Sequence, residues 1–304
     1  MTFNDFLLEL FYLIDTELEA MKTTDLPTLR SRGPRPSLHD SEVITIELAG
    51  EFLGIDADKT IYRFFRRYHR REFPKLAAVD RTTFVRQSAN LWRVKQLLHE
   101  RIVRLLPLAD AVDGQTLWLI DSFPLRVCRL KRAPSHKLFR GSGAAFGRDP
   151  TGETRFYGFR VHLRTSDRGF CAAATLAPGN VSDWPLVSEL APAQGGVAIG
   201  DRNYWKPEGR EPLRRHGLEL LAPFRKESSD PCPQRSKLLG RLRQIIEPVI
   251  GQLATRFHCQ VTWARDLWHL CIRLGRKLLS HTVAVLLNWR AGHPPLQLNL
   301  LISD

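Results

Sequence analysis

Three carboxylates have the types and the spacing that metal-dependent chemistry requires. Asp121 follows a run of four apolar residues, Asp201 comes 80 residues later after a second apolar run, and Glu247 lies a further 46 residues on. Carboxylate oxygens are hard ligands that suit Mg²⁺ or Mn²⁺ and not Zn²⁺. A pair of such ions held by three carboxylates is an arrangement for phosphodiester chemistry. Taken alone, Asp121 has a simpler interpretation as the residue that starts a turn.

Two predicted strands and one predicted helix must bring these acids together. The apolar runs at 116–121 and 196–201 predict buried strands that each end on an aspartate. Apolar residues at helical spacing from Leu238 to Phe257 predict one long amphipathic helix that carries Glu247. If the two strands are neighbours, both aspartates lie at one edge of the sheet, and the helix can place Glu247 across that edge.

The part of the chain from 107 to 304 alternates between predicted strands and helices. Further strands are predicted at 157–163, 169–176 and 218–222, with the first two forming a hairpin. The basic, glycine-bearing segment 126–150 predicts a loop or an extended hairpin. A last helix is predicted over 267–289. The order indicates an α/β domain with a mixed five-stranded sheet flanked by helices.

Residues 1–106 instead predict an all-helical domain. Apolar residues at helical spacing begin at Phe3, a second helix starts between Ser37 and Asp40, and Asp80 offers an N-cap to a helix from about 82 to 105. The second helix carries several acids. We interpret them as complements to the helix dipole and as members of a solvated face: Asp40, Glu42, Glu47 and Glu51.

The charge balance indicates a polyanionic partner. The chain of 304 residues has 45 Lys and Arg against 32 Asp and Glu, which gives a net charge of +13. Nucleic acid is the partner that such a charge most often serves. No apolar run approaches the ~20 residues that span a bilayer, so we expect no membrane segment. Five scattered cysteines predict reduced thiols and a cytoplasmic protein.

An arginine-rich segment in the helical domain is the predicted DNA contact. In 61–71 aromatic residues share one side, and the other side carries Arg63, Arg66, Arg67, Arg70 and Arg71. Short helices with arginine-rich flanks suit a DNA-binding domain of helix-turn-helix type. The alternative is a basic, solvated helical face that binds no ligand.

Five residues near the acids have two interpretations each. Arg243 precedes Glu247 by one helical turn, so it can hold a phosphate or form an intrahelical ion pair. Arg160 and His162 share one strand face, where they reach the DNA backbone or cover a sheet edge. Tyr204, with its neighbour Trp205, stacks on a base or packs in the core.

These patterns together resemble the DDE transposases of bacterial insertion sequences, in particular the insertion-sequence 982 group. The resemblance covers nearly the whole chain and depends on the order of many short motifs. They are Leu119-Ile-Asp-Ser-Phe-Pro124, Arg140-Gly141, Tyr157-Gly-Phe-Arg-Val-His162, Leu176-Ala-Pro178 with Asn180 and Asp183, Gly200-Asp-Arg-Asn-Tyr-Trp205, Leu221-Ala-Pro-Phe224, Arg243 with Glu247 and Gly251-Gln-Leu253, and Ala264-Arg-Asp-Leu-Trp-His-Leu270.

The resemblance implies a retroviral-integrase-like, RNase H-like catalytic core with its acidic triad at Asp121, Asp201 and Glu247. It implies cleavage of transposon ends and their joining to new DNA. The expected partners are Mg²⁺ or Mn²⁺, in two copies, and double-stranded DNA, both as terminal inverted repeats and as target. Joining two ends implies a homodimer on DNA.

Pro248 departs from the family pattern and leaves two other hypotheses open. A proline inside a helix removes a backbone hydrogen bond and costs about 3 kcal/mol or more. It predicts that the helix kinks at Glu247 or restarts at Pro248. The chain is then either a transposase or a DNA-binding protein that has lost catalysis. A structure-specific nuclease on the same core is the third hypothesis.

Overall fold

The structure is a computed structural model that describes residues 1–24, 36–106, 116–135, 138–148, 155–226, 229–261 and 263–303. The chain divides into two compact units. The helical unit comprises Met1–Leu106, Leu253–Ala264 and Trp268–Asp304, and the sheet unit comprises Pro107–Gln252 and Arg265–Leu267. The sequence had placed all of 107–304 in one domain, whereas these contacts group the C-terminal helix with the N-terminal ones. Within the described residues, no helix is both long enough and apolar enough to cross a membrane.

The helical unit confirms the prediction of an all-helical N-terminal region. Its N-terminal helices are α1 (Phe3–Thr24), α2 (Asp40–Phe52), α3 (Asp58–Tyr68), α4 (Arg81–Asn90) and α5 (Trp92–Arg104). The helix predicted over 82–105 is therefore two helices that meet at Leu91, and Asp80 is the N-cap residue of the first. The C-terminal helix α10 (Leu267–Arg290) begins where it was predicted to begin.

The acids of α2 correct the prediction of a solvated face. Glu47 and Glu51 are 1% and 0% exposed. Arg276 of α10 contacts both, at 2.8 Å from Glu47 and 2.5 Å from Glu51, while Lys95 lies 2.8 Å from Glu47 and Lys277 2.6 Å from Glu51. Burial acts to raise the pKa of Glu47, but the charges of Lys95 and Arg276 outweigh it and hold that pKa below its ordinary value. Glu42 keeps the predicted helix-start role, because its Oε2 accepts the His39 N–H at 2.7 Å.

The sheet unit contains a mixed sheet flanked by helices. Its strands are β1 (Leu117–Cys128), β2 (Ala145–Arg148), β3 (Arg155–Ser166), β4 (Cys171–Pro178), β5 (Gly196–Ile199) and β6 (Leu218–Leu221). The strand order is β2-β3-β1-β5-β6. The remaining strand, β4, also pairs with β3. The contacts of β1 with β3 and of β3 with β4 are antiparallel, whereas β5 is parallel to both β1 and β6. The predicted hairpin is confirmed, and β2 is a further strand inside the segment predicted as a loop or hairpin.

Asp121 lies inside β1, which corrects the prediction that the strand ends there. The strand continues to Cys128, and its pairing with β3 includes Pro124, which lies opposite Arg160. The parallel partner β5 pairs only as far as Ile199, opposite Leu119. Proline is tolerated in β1 because beyond Leu119 the strand is paired on one side, and the other side needs no donor.

The helices of the sheet unit are α6 (Val187–Leu190), α7 (Arg210–Arg215), α8 (Pro233–Arg243) and α9 (Ile246–Thr255). Alternation along β1 separates two apolar clusters. Trp118 and Ile120 pack with residues of α6 and α7, whereas Leu119 packs with Leu239 of α8 and Ile246 of α9. The side chain of Asp121 therefore belongs to the face that α8 and α9 cover.

The predicted single helix over 238–257 is in fact two helices with a turn at 244–245. The second helix, α9, begins at Ile246, two residues before the restart predicted at Pro248. Pro248 is thus the third residue of α9. A first-turn N–H has no intrahelical acceptor, so proline at this position removes no hydrogen bond from the helix.

Candidate active site

Asp121 and Asp201 occupy equivalent positions just beyond the parallel pairing of β1 with β5. Leu119 pairs with Ile199 in the parallel register of β1 and β5, and each aspartate follows its paired residue by two positions. The two strands are neighbours, which is the condition under which both aspartates lie at one edge of the sheet. Asp201 is fixed by a local turn, in which its Oδ1 accepts the Asn203 N–H at 2.8 Å and its Oδ2 accepts the Asn203 side-chain amide at 2.9 Å.

Arg243 connects Asp121 with Glu247. One terminal nitrogen of its guanidinium donates to the Oδ2 of Asp121 at 2.5 Å, and the other donates to the Oε1 of Glu247 at 3.3 Å. Both carboxylates therefore lie against one planar group, although they come from β1 and from α9. The predicted intrahelical ion pair between Arg243 and Glu247 is present, and its extension to Asp121 is a finding of the structure.

The carboxylates influence one another electrostatically. Burial raises the pKa of Asp121 to about 6; Asp201 and Asp183 add to the rise, while Arg243 and the Ser122 N–H act against it. Burial also raises the pKa of Asp201 and that of Asp183. A group of acids whose pKa values are raised by burial and by one another is typical of functional sites.

The three carboxylates are the type of ligand that a hard divalent cation prefers, but Arg243 already contacts two of them. Asp121, Asp201 and Glu247 offer oxygen ligands, and the guanidinium of Arg243 shows that a positive group is accommodated between two of them. Among the residues that the structure describes, no three His, Cys, Asp or Glu side chains surround one point as metal ligands. Arg243 holds one oxygen of each of Asp121 and Glu247, so a divalent ion that took either of these oxygens would compete with its guanidinium.

Asp183 is a site residue that the motif spacing did not single out. It lies before α6, and its Oδ1 accepts the hydroxyl of Ser122 at 3.0 Å. The same oxygen lies 3.3 Å from the Nδ1 of His162 and 4.0 Å from Arg160. Asp183 thus contacts the neighbour of Asp121 from the opposite face of the sheet. In the sequence, Asp183 could have been found only from its place in the family motif that begins at Leu176.

The hydroxyl of Tyr204 is buried beside these acids. Tyr204 is 1% exposed, and its hydroxyl has no hydrogen-bond partner among the described residues. Burial raises its pKa well above the ordinary value, and the charges of Asp183, Asp121 and Asp201 act in the same direction. Of the two interpretations of Tyr204, packing agrees with its burial. Trp205 also packs, with its ring centroid 4.6 Å from that of Phe224.

The two predicted DNA contacts on β3 differ in access. His162 is fully buried between β1 and β4, so in this structure it does not reach a DNA backbone. Burial lowers its pKa to about 4, so the ring is neutral near pH 7. Arg160 has a side chain that is 11% exposed and donates to the Ser122 hydroxyl at 3.2 Å. It also donates to the carbonyl of Arg148.

A cleft of about 810 Å³ lies on the face that carries Asp201 and Glu247. Its charged lining has four cations, Arg202, Lys237, Arg241 and Arg243, and three acids, Asp201, Asp230 and Glu247. Asp201 and Glu247 are therefore accessible from this side, beside cations that a polyanion can contact.

A separate basic cleft belongs to the helical unit. Its volume is about 650 Å³, and its lining includes Arg63, Arg66, Arg67, Arg70 and Arg81. Arg66 is held by the Tyr62 hydroxyl at 2.7 Å, and Arg70 by the Arg66 carbonyl at 3.0 Å. Four of the five arginines in the predicted DNA contact thus lie together, whereas the fifth, Arg71, is exposed and is not part of this cleft.

The mixed α/β sheet carries two aspartates just beyond its parallel strand pairing, a glutamate on a following helix and nearby basic clefts, and this combination suits a polyanionic ligand. A family model described as the transposase DDE domain matches residues 112–267. The chain belongs to this family, whose members act on DNA. No curated protein and no solved structure matches the sequence of this chain.

Proposed function

We propose that the protein cleaves the ends of an insertion sequence and transfers the cut strands to target DNA. The observation that carries this proposal is the joining of Asp121 and Glu247 through Arg243, next to Asp201 at the same height of the sheet. Asp121 and Glu247 share Arg243, and Asp201 lines one cleft with Glu247, so the proposal assigns these three acids the role of the acidic triad in a chain that belongs to the DDE transposase family. The sheet order supports an RNase H-like core.

In this proposal Asp121, Asp201 and Glu247 hold two Mg²⁺ or Mn²⁺ ions. When bound, such ions supply the charge that phosphodiester cleavage needs at the attacking and leaving oxygens. The chain's own residues provide the rest. Asp121 is held by the backbone N–H of Ser122 at 2.8 Å, and Asp201 is held by Asn203, so both carboxylates are oriented in advance.

Arg243 has two roles in the proposal. It neutralises Asp121 and Glu247 in the metal-free chain. After it is displaced, its guanidinium remains on α8 beside the cleft, where it can hold a DNA phosphate in the bidentate manner that arginine favours.

The helical unit is proposed to bind the DNA of the terminal inverted repeats. Arg63, Arg66, Arg67 and Arg70 supply phosphate contacts in one cleft, and such contacts position a protein on DNA without reading its sequence. Two element ends must meet before they are joined, so the proposed active form is a homodimer on DNA.

The test is end cleavage and strand transfer with purified protein, Mg²⁺ and DNA that carries the element ends. Asp121→Asn, Asp201→Asn and Glu247→Gln should each abolish both reactions while leaving binding to the DNA intact. Asp230→Asn is the matched control, because Asp230 lines the same cleft but does not contact Arg243. Full activity of Asp121→Asn or Asp201→Asn would contradict the proposal.

The DNA-binding role of the helical unit is tested separately. Arg67→Ala should weaken binding to element-end duplex and reduce its dependence on salt, because each lost phosphate contact lowers the slope by roughly one. Arg71→Ala is the control, since Arg71 lies outside the cleft. Equal effects of the two substitutions would indicate that general charge, and not this cleft, holds the DNA.

A further inference from the structure

The sheet unit has a second large cleft, on the side of Asp183, that the triad does not use. Its volume is about 830 Å³. The charged residues along it are mostly cations: Arg148, Arg155, Arg160, Lys206 and Arg225, against Asp183 and Glu208. Four of the cations are exposed, and the fifth, Arg160, is mostly buried. A polyanion is the occupant that this charge complements.

Aromatic rings line the same cleft. Phe146 of β2 is 54% exposed, and Trp184 and Trp205 also contribute to the wall. Lys206 lies 5.7 Å from the ring centroid of Trp184, so a cation and an aromatic face are adjacent. A positive groove with accessible aromatic faces is the combination that binds single strands, because unpaired bases can stack on the rings. In a duplex those base faces are covered by neighbouring base pairs.

Two residues that line the cleft also contact Asp201 and the neighbour of Asp121. Asn203 lines it and holds both oxygens of Asp201. Asp183 lines it and holds Ser122, the neighbour of Asp121. The cleft is therefore one contact away from each aspartate, although neither aspartate lines it.

We propose that this cleft binds an unpaired DNA strand next to the scissile phosphate, with Phe146 as a stacking surface for a base. The proposal rests on the proposed function, and it adds that the preferred substrate is a DNA end whose terminal base pairs are open. A volume of about 830 Å³ suits a ligand the size of a few nucleotides at most, since cavities of roughly 300–1,000 Å³ hold drug-sized molecules.

The binding test uses the full chain with Asp121→Asn in the presence of EDTA, so that no cleavage occurs. The probes are fluorescent oligothymidylate of roughly 12 nucleotides and a duplex of the same length. Phe146→Ala should weaken oligothymidylate binding about tenfold and leave duplex binding unchanged, since one stacked base contributes that much. Phe146 is largely exposed, so its loss does not empty the core.

A second variant tests the charges. The double substitution Arg148→Ala and Arg225→Ala should lower the salt dependence of oligothymidylate binding by roughly 0.7 in slope for each lost contact. The controls are Tyr12→Ala, at an aromatic residue that is 70% exposed in α1, and Arg215→Ala, at a side chain that is 76% exposed in α7. Both controls should bind oligothymidylate like the parent chain.

Three outcomes would overturn the proposal: unchanged oligothymidylate binding by both cleft variants, an equal loss of duplex binding, or displacement of oligothymidylate by polyglutamate at the same charge concentration. The last would show that the cleft takes an acidic peptide and not DNA. The result of the binding test can be distinguished from failure of the proposed function, because binding of oligothymidylate in EDTA requires no DNA cleavage. In the active chain, frayed DNA ends should be cut faster than paired ends, and Phe146→Ala should remove that difference.

Discussion

The guanidinium of Arg243 lies 2.5 Å from the Oδ2 of Asp121, although 122 residues separate the two in sequence. This pairing fixes α8 against the middle of β1 and places the first turn of α9, with Glu247, beside the same group. It also means that a positive group already contacts one oxygen of Asp121. In the proposed function, a divalent ion that took this oxygen would compete with the guanidinium.

Replacing Arg243 should therefore make the stability of the chain more dependent on a divalent ion. In EDTA, Arg243→Ala should lose about 1–3 kcal/mol, because Asp121 loses a charge-assisted hydrogen bond in a partly buried setting. Mg²⁺ should restore a larger part of the melting temperature in the variant than in the parent chain. Thermal unfolding with and without Mg²⁺ measures this, with Arg241→Ala on the same helix as the control. Identical Mg²⁺ shifts in all three proteins would show that Arg243 and the ion do not share a site.

The buried ion pairs of the helical unit predict an unusually costly substitution. Arg276 is 3% exposed and contacts Glu47, Glu51 and Asp58 at 2.5–2.8 Å. Arg276→Met should destabilise the chain by about 3–5 kcal/mol, because it leaves buried carboxylates without their partner. Arg273→Met should cost under about 1 kcal/mol, since Arg273 is more exposed and lies 3.4 Å from Asp58. Urea unfolding checks both, and equal midpoints for the two variants would contradict the role assigned to Arg276.

The contrast between these two sites shows what the sequence could predict. The apolar runs before Asp121 and Asp201 were sufficient to predict a strand near each acid, because period and burial are local properties, but not to predict that the two strands are neighbours. The burial of Glu47 and Glu51 was not predictable in this way. Their partners Arg276 and Lys277 lie more than two hundred residues away, and no local pattern distinguishes a paired buried acid from a solvated one.

The same limit explains the errors around β1. Ser122 and Pro124 favour a strand end in local terms, but β5 stops at Ile199 and leaves that side of β1 without a partner. Proline then costs no ladder hydrogen bond. Asp183 was missed for a related reason: it approaches Ser122 from a turn 61 residues away, and only the fold brings the two together.

The helical unit should lose stability in acid through His281. This residue of α10 is fully buried, and burial, together with nearby His99, lowers its pKa to about 3. Between about pH 3 and 6.5 the unfolded chain binds a proton there that the folded chain does not, so stability falls as the pH is lowered. The expected slope is up to about 1.4 kcal/mol per pH unit for one such group. His281→Gln should remove this pH dependence, and urea unfolding at several pH values measures the difference in unfolding free energy between the two proteins. A difference that stays constant with pH would contradict the prediction.

Pro248 gives the sharpest test of whether this chain retains the catalysis of its family. Because α9 begins at Ile246, Pro248 occupies the first turn, where a missing N–H breaks no helical bond. Pro248→Ser should therefore change stability by no more than about 0.5 kcal/mol and leave end cleavage unchanged. Gln252→Pro is the matched control, because it places proline within the body of α9 and should cost about 3 kcal/mol or more. A large gain of cleavage in Pro248→Ser would show instead that the proline holds Glu247 away from Asp121, and that the chain had lost activity at this position.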